Sequence, residues 1–304
     1  MSALPLPPAK RALGASGIDV APLAWGMWRS VEAGHGAQDV VRLLHAVLDA
    51  GMTLVDTADI YGFDGTGGFG GAEKLLGAAL RHEPGLRERI VLATKGGISP
   101  GVPYDQSRDY MQGALDASLT RLGLERVELY QIHRPDILTH PQELARFLED
   151  SLASGKVGAV GVSNFTVHQI ETLAALLDTP LATTQPEISA TRIEPLVNGE
   201  MDQALRLGLT PLAWSPLGGG SIMAPGDGRQ AAVAKALDDV GQQMGVGRAV
   251  AALGWLMAHP AGIVPIVGSQ SPERIAEASK AMTLCWTRED WYAVLVAARG
   301  EPLP

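Results

Sequence analysis

Short apolar runs alternate along this chain with longer stretches in which apolar residues recur every three to four positions. The runs predict strands: PLAWGM (22–27), MTLVD (52–56), IVLATK (90–95), VELYQIH (127–133), VGAVGVS (157–163), LATTQ (181–185), TPLAWS (210–215) and GIVPIVG (262–268). Between them lie helical patterns. AQDVVRLLHAVLDAG sets Val40, Leu43, Leu44 and Val47 on one face, and SRDYMQGALDASLTRLG is a second such segment. Gly51 and Gly123 follow where helix C-termini favour glycine. Eight strands, each followed by a helix, predict a closed (β/α)8 TIM barrel of the α/β class.

A doubly wound open sheet would carry a glycine-rich dinucleotide fingerprint after an early strand, and none follows the first two. GTGGFGG (65–71) comes after a polar loop and reads as a flexible flap. KRALGASGIDV, with Ala-Ser-Gly between two short apolar stretches, predicts an N-terminal β-hairpin placed to plug the barrel's N-terminal end. At the other end TREDWYAVLVAAR adds a C-terminal helix starting from the N-cap Thr287. The expectation is one domain over residues 1–304, with 1–9 as a loose leader.

Charge narrows the partners. The formal charge of −9 disfavours nucleic acid and acidic membranes, which select a basic face, and no apolar run reaches the length of a membrane span. One cysteine, Cys285, leaves no internal disulfide, and the N-terminus lacks the apolar core of a signal peptide, so the expected setting is cytoplasmic. The sequence leaves the oligomeric state open.

Candidate chemistry sits at the predicted C-terminal strand ends, which converge on one mouth in such a barrel. Read in order, they carry Asp56, Lys95, His133, Ser163 with Asn164, Gln185, and Trp214 with Ser215. Tyr61 lies just beyond Asp56 and is a usable proton donor; the Lys95 cation is expected to lower its pKa, with Asp56 keeping the lysine charged. A neutral His133 would orient a carbonyl oxygen. His133 has no second ligand at metal-binding spacing, so no metal is expected. Asp59 is expected to be solvated or to brace a loop.

With these residues in hand, the chain resembles the aldo-keto reductases over nearly its whole length. The runs that carry the resemblance are DTADIYG, TKGG, YQIHRPD, GKVGAVGVSNF, TTQPEIS, AWSPLGGG and IVGSQSPERI. AWSPLGGG, QPEIS and NGEMDQ are similar in particular to the bacterial YdhF-like branch. The resemblance implies that Asp56, Tyr61, Lys95 and His133 are the catalytic tetrad, with Tyr61 as general acid in NADPH-dependent reduction of an aldehyde or ketone. It implies that Ser163, Asn164 and Gln185 hold the nicotinamide carboxamide and that Trp214 stacks on the ring. Gly26 and Met27 would line the cofactor, and the loop with Ser215, Pro216, Leu217, Gly218 and Gly220 would pass over the pyrophosphate. Ser269, Arg274 and Glu277 would meet the adenosine end.

Three positions depart from the pattern: Gly268 stands where many relatives have lysine, Ala278 replaces an asparagine, and Ile188 a tyrosine. The first two leave NADH expected as a weaker alternative cofactor, while Ile188 thins an aromatic layer. Trp28, Phe63 and Tyr104, with Phe69, would line a substrate pocket favouring bulky or aromatic carbonyls over sugars. The competing class is a nucleotide-binding regulatory or redox-sensing accessory protein on the same barrel.

Overall fold

The computed structural model describes residues 3–226 and 228–303. All eight predicted strands form, as β3 (Ala24–Gly26), β4 (Leu54–Asp56), β5 (Val91–Gly96), β6 (Val127–Ile132), β7 (Val157–Ser163), β8 (Thr183–Gln185), β9 (Thr210–Ala213) and β10 (Val264–Val267). They close in the order β10-β3-β4-β5-β6-β7-β8-β9, every neighbouring pair parallel.

Strand alternation explains both what fills this barrel and what crowns it. Leu54, Ala93, Leu129, Ala159 and Leu212 pack together in one buried cluster inside the ring. Two residues further along β4 and β5 come Asp56 and Lys95, and four beyond Ala159 comes Ser163, even steps that keep each on the same face. The opposite face, with Val55, Leu92, Tyr130 and Val160, packs against the surrounding helices. Five of those are α1 (Ala37–Asp49), α2 (Gly71–His82), α3 (Arg108–Leu122), α4 (Pro141–Ala153) and α5 (Val167–Ala174). In α1, Val40, Leu43, Leu44 and Val47 are all buried, as their spacing predicts.

The hairpin is present as β1 (Arg11–Ala12) and β2 (Asp19–Val20), antiparallel. Leu13 and Val20 complete the interior cluster from below. Thr210, which begins β9, accepts from Gly14 N at 3.0 Å and donates to Ala12 O at 2.9 Å. The leader is less loose than expected: Leu4 N donates to Trp286 O at 2.7 Å, and Ala3 bridges Thr287, because an apolar Leu4 finds a cluster to pack against. Residues 1 and 2 lie outside the described part.

The second half of the chain adds α6 (Glu200–Leu207), α7 (Arg229–Met244), α8 (Arg248–Met257), α9 (Pro272–Ala278) and α10 (Arg288–Arg299). Two helices, α7 and α8, share the β9–β10 connection. The C-terminal helix α10 starts where its cap predicts: Thr287 Oγ1 accepts from Asp290 N at 3.1 Å. Trp255 and Trp291 fasten it to α8 by stacking at 5.1 Å, each indole donating to the other's carbonyl at 3.0 Å. Among the described residues no helix is long and apolar enough to cross a membrane.

Candidate active site

Lys95 is the hub of the barrel mouth. Its ammonium, fully buried, donates to Asp56 Oδ2 at 2.7 Å, Thr57 O at 2.9 Å and Tyr61 Oη at 3.0 Å. Three acceptors match its three protons, which is what a buried ammonium requires. Burial pulls the Lys95 pKa down, but Asp56 and Tyr61 outweigh that and hold it above its ordinary value. Gln185 occupies the other oxygen of Asp56, donating to Oδ1 at 3.0 Å.

Tyr61 departs from expectation in one respect. Burial raises its pKa, and the opposing charge of Lys95 does not fully compensate, so the net direction is upward. The phenol is thus loaded with its proton at neutral pH. His133 meets the Tyr61 ring edge-on, centroids 5.7 Å apart. Burial, then Lys95 and Arg134, push the His133 pKa well below its ordinary value, so the imidazole is neutral. Proton donor and neutral imidazole thus lie side by side, an arrangement suited to a carbonyl oxygen that gains charge as it reacts.

Beside the tetrad a chain of amides and hydroxyls runs across the mouth. Ser163 Oγ donates to Gln185 O at 2.8 Å, Asn164 Nδ2 to His133 O at 3.1 Å, and Trp214 Nε1 to Asn164 Oδ1 at 3.0 Å. Asn164 holds φ +61°, a left-handed conformation that asparagine tolerates better than most residues. Ser215 holds φ +49°. Such local strain at a strand end is typical of residues held for function. Trp214 is thereby pinned by its polar edge while its faces stay half-exposed.

The loop after β9 approaches its support too closely for a side chain at Gly218. A Cβ there would lie 2.3 Å from Thr191 Oγ1 and 2.5 Å from Ser221 Oγ, and φ is +61°. Thr191 Oγ1 in turn bonds Ser189 Oγ at 3.0 Å and Ser221 Oγ at 3.3 Å, a cluster that sequence reading missed. It also missed Trp25, whose indole donates to Ser269 O at 2.9 Å, and Gln270, which accepts from Ser30 Oγ at 2.7 Å and donates to Gly26 O at 3.3 Å. These fix the loop after β10 against β3, with Met27 buried beside it. Arg274 lies exposed in the first turn of α9, its guanidinium without a partner among the described residues; Gly268 and Glu277 are exposed nearby along the chain.

Of the expected pocket residues, Trp28 is 58% and Tyr104 37% exposed, and Phe63 packs edge-on against Phe69 at 6.3 Å within the flap. Arg29 lies over the Trp28 ring at 5.5 Å.

Asp59 corrects the expectation of a solvated residue. It is fully buried, neither carboxyl oxygen has a hydrogen-bond partner, and only its backbone braces the loop, donating to Lys95 O at 3.0 Å and accepting from Gly70 N at 2.6 Å. Burial and then Glu73 raise its pKa well above the ordinary range. A carboxyl that binds its proton more tightly in the fold loses the protein stability as pH climbs from the unfolded pKa of about 4 towards the raised folded one. Asp59→Asn removes that loss while keeping the shape. Its melting temperature should exceed the parent's by a margin that widens between pH 4 and pH 8, reaching at least about 2 to 4 °C. A margin independent of pH would mean that Asp59 is ionised in the fold.

The model of the family described as "Aldo/keto reductase family" matches residues 22–295. A protein of Novosphingobium aromaticivorans named 6-dehydroglucose reductase is 63% identical over 304 residues, covering 100% of both chains. The oxidoreductase YdhF of Escherichia coli K12 is 34% identical over 296 residues, 95% of this chain and 97% of that one. A crystal structure of the thermostable aldo-keto reductase Tm1743 with the inhibitor epalrestat superposes with a TM-score of 0.80 at 23% identity, covering 95% and 99% of the two chains.

Proposed function

Since the chain belongs to the aldo/keto reductase family, we propose that this oxidoreductase reduces an aldehyde carried by a sugar, with NADPH as reductant and Tyr61 as general acid. The observation that carries the reading is the Lys95 ammonium, held at once 2.7 Å from Asp56 and 3.0 Å from the Tyr61 hydroxyl. Asp56 fixes the ammonium. Lys95 stabilises the phenolate left behind when Tyr61 gives up its proton, and so favours transfer without ionising the phenol beforehand. His133, neutral, directs the carbonyl oxygen towards Tyr61.

A nicotinamide cofactor, when bound, supplies the hydride. The residues present fit one. Trp214 offers a pinned indole face, and Ser163, Asn164 and Gln185 converge beside it. Arg274 is the charge proposed to read a 2'-phosphate. Its planar fork meets two phosphate oxygens, a contact NADH does not offer. Arg274→Ala should raise the NADPH dissociation constant by roughly ten- to a hundredfold and leave NADH almost unchanged, as losing a hydrogen bond to a charged group implies. Titration of tryptophan fluorescence with each cofactor checks this; equal effects on both would remove Arg274 from the phosphate.

The substrate reading draws on the relative named for 6-dehydroglucose, matched from end to end. The exposed aromatics Trp28 and Tyr104, expected from sequence to favour aromatic carbonyls over sugars, are compatible with it instead, because the C–H groups of a pyranose form an apolar face that an aromatic ring can cover. NADPH consumption with glucose 6-aldehyde, with glucose identified as product, tests the reading. A protein that binds NADPH and turns over no aldehyde would belong to the accessory class instead.

A further inference from the structure

Ser189, Thr191 and Ser221 carry one hydroxyl hydrogen each, and their contacts fix which way every hydrogen points. Ser221 Oγ lies 2.8 Å from Gly218 O, a carbonyl that only accepts, so the Ser221 hydrogen points there. Thr191 must then donate across 3.3 Å to Ser221 Oγ, and Ser189 across 3.0 Å to Thr191 Oγ1. Thr191 N ties the run together by donating to Ser189 Oγ at 3.2 Å. The three hydroxyls form one directed chain, from the fully buried Ser189 after β8 to the Gly218 carbonyl after β9. Bonds in such a chain polarise one another, so losing the middle hydroxyl weakens the last bond.

What the chain holds is a peptide plane. Gly218 O also accepts from Ser221 N at 3.1 Å, so both its lone pairs are engaged. The peptide is trans, and its N–H therefore points opposite to the carbonyl, which turns Gly219 N–H away from this support. Gly219 N makes no hydrogen bond among the described residues. Gly219 is exposed, and nothing lies within 4 Å of where a Cβ would stand on it or on Gly220. Backbone is thus open to close approach on the side that carries a free donor.

Gly218 comes four residues after Trp214, at the end of the strand that pairs with β10, and Arg274 follows β10. A dinucleotide with its nicotinamide on Trp214 and its 2'-phosphate at Arg274 carries its pyrophosphate between the two. Building on the proposed NADPH reading, we infer that Thr191 is a positioning residue for that pyrophosphate: its hydroxyl fixes the Gly218–Gly219 peptide so that Gly219 N–H meets a phosphate oxygen. A donor held in place beforehand binds an anion more tightly than one that must be ordered on binding.

Calorimetric titration of the full chain separates this role from general support. NADPH, NADH and ADP-ribose all carry a pyrophosphate, whereas adenosine 2'-monophosphate carries the 2'-phosphate alone. Thr191→Val keeps the shape and removes the hydroxyl. It should raise the first three dissociation constants by a common factor of about three- to tenfold and leave the fourth within about twofold, as loss of a positioned hydrogen bond implies. Thr191→Ser should bind like the parent, and Ser221→Ala, which removes the last donor of the chain, should repeat the valine pattern. Equal weakening of all four ligands would make Thr191 a support of the fold and overturn the inference. Four unchanged constants would overturn it too, as would a loss confined to NADPH, which belongs to the 2'-phosphate. In each of these cases the parent still binds NADPH and the cofactor reading stands. A parent that binds neither NADPH nor NADH would overturn both together.

Discussion

Tyr61→Phe should lower kcat for aldehyde reduction by roughly 10²- to 10⁴-fold, the range associated with loss of a positioned general acid. NADPH affinity should hold, because the hydroxyl bonds to Lys95 and its loss leaves the ring against His133 in place. The pH profile gives a second readout. Burial raises the Tyr61 pKa above that of an ordinary phenol, so the proton needed for reduction is present through neutral pH and is lost only in the alkaline range. The parent's reduction rate should therefore fall on the alkaline side. Oxidation of the alcohol, which needs phenolate as acceptor, should rise there. Both limbs should vanish in the variant. A variant within about threefold of the parent, measured where chemistry limits turnover, would take the acid role away from Tyr61.

The candidate-site ends of β4 and β5 were legible because strand geometry has a period of two. Once Leu54 and Ala93 are read as interior, Asp56 and Lys95 must lie on the same face one step closer to the mouth. Cooperation among Asp56, Tyr61 and Lys95 followed from charge and pKa alone. What the sequence hid depends on neighbours distant along the chain. Asp59 looked solvated because it lies past a strand end; its burial is made by β5 and α2, and by the close approach of Tyr130 that Gly96 permits, where a Cβ would lie 2.1 Å from the Tyr130 hydroxyl. The direction of the Tyr61 shift was likewise hidden, since a lysine neighbour can be guessed from spacing but the depth of burial cannot. Asn164 offered a partial signal, asparagine being the residue most at ease in a left-handed turn besides glycine.

Lys95→Met should abolish most reduction and also weaken the fold, and the two losses should separate in a second variant. The substitution keeps the volume of the side chain but leaves Asp56, only about 2% exposed, without its cation. Gln185 Nε2 is then its one remaining side-chain partner among the described residues. Removing one member of a buried pair costs about 3–5 kcal/mol, because the surviving charge stays desolvated. Methionine also leaves Thr57 O and the Tyr61 hydroxyl without the donor that now joins them. Adding Asp56→Asn removes the stranded charge and keeps an amide oxygen for Gln185, so Lys95→Met/Asp56→Asn should regain much of the lost stability in urea. It should regain no activity, since the cation that stabilises the Tyr61 phenolate is still missing. Recovery of stability without activity would separate the two roles of the pair, structural neutrality and proton delivery. If activity returned with stability, the ammonium would be a structural counter-ion and Tyr61 would be protonating its substrate without help from Lys95.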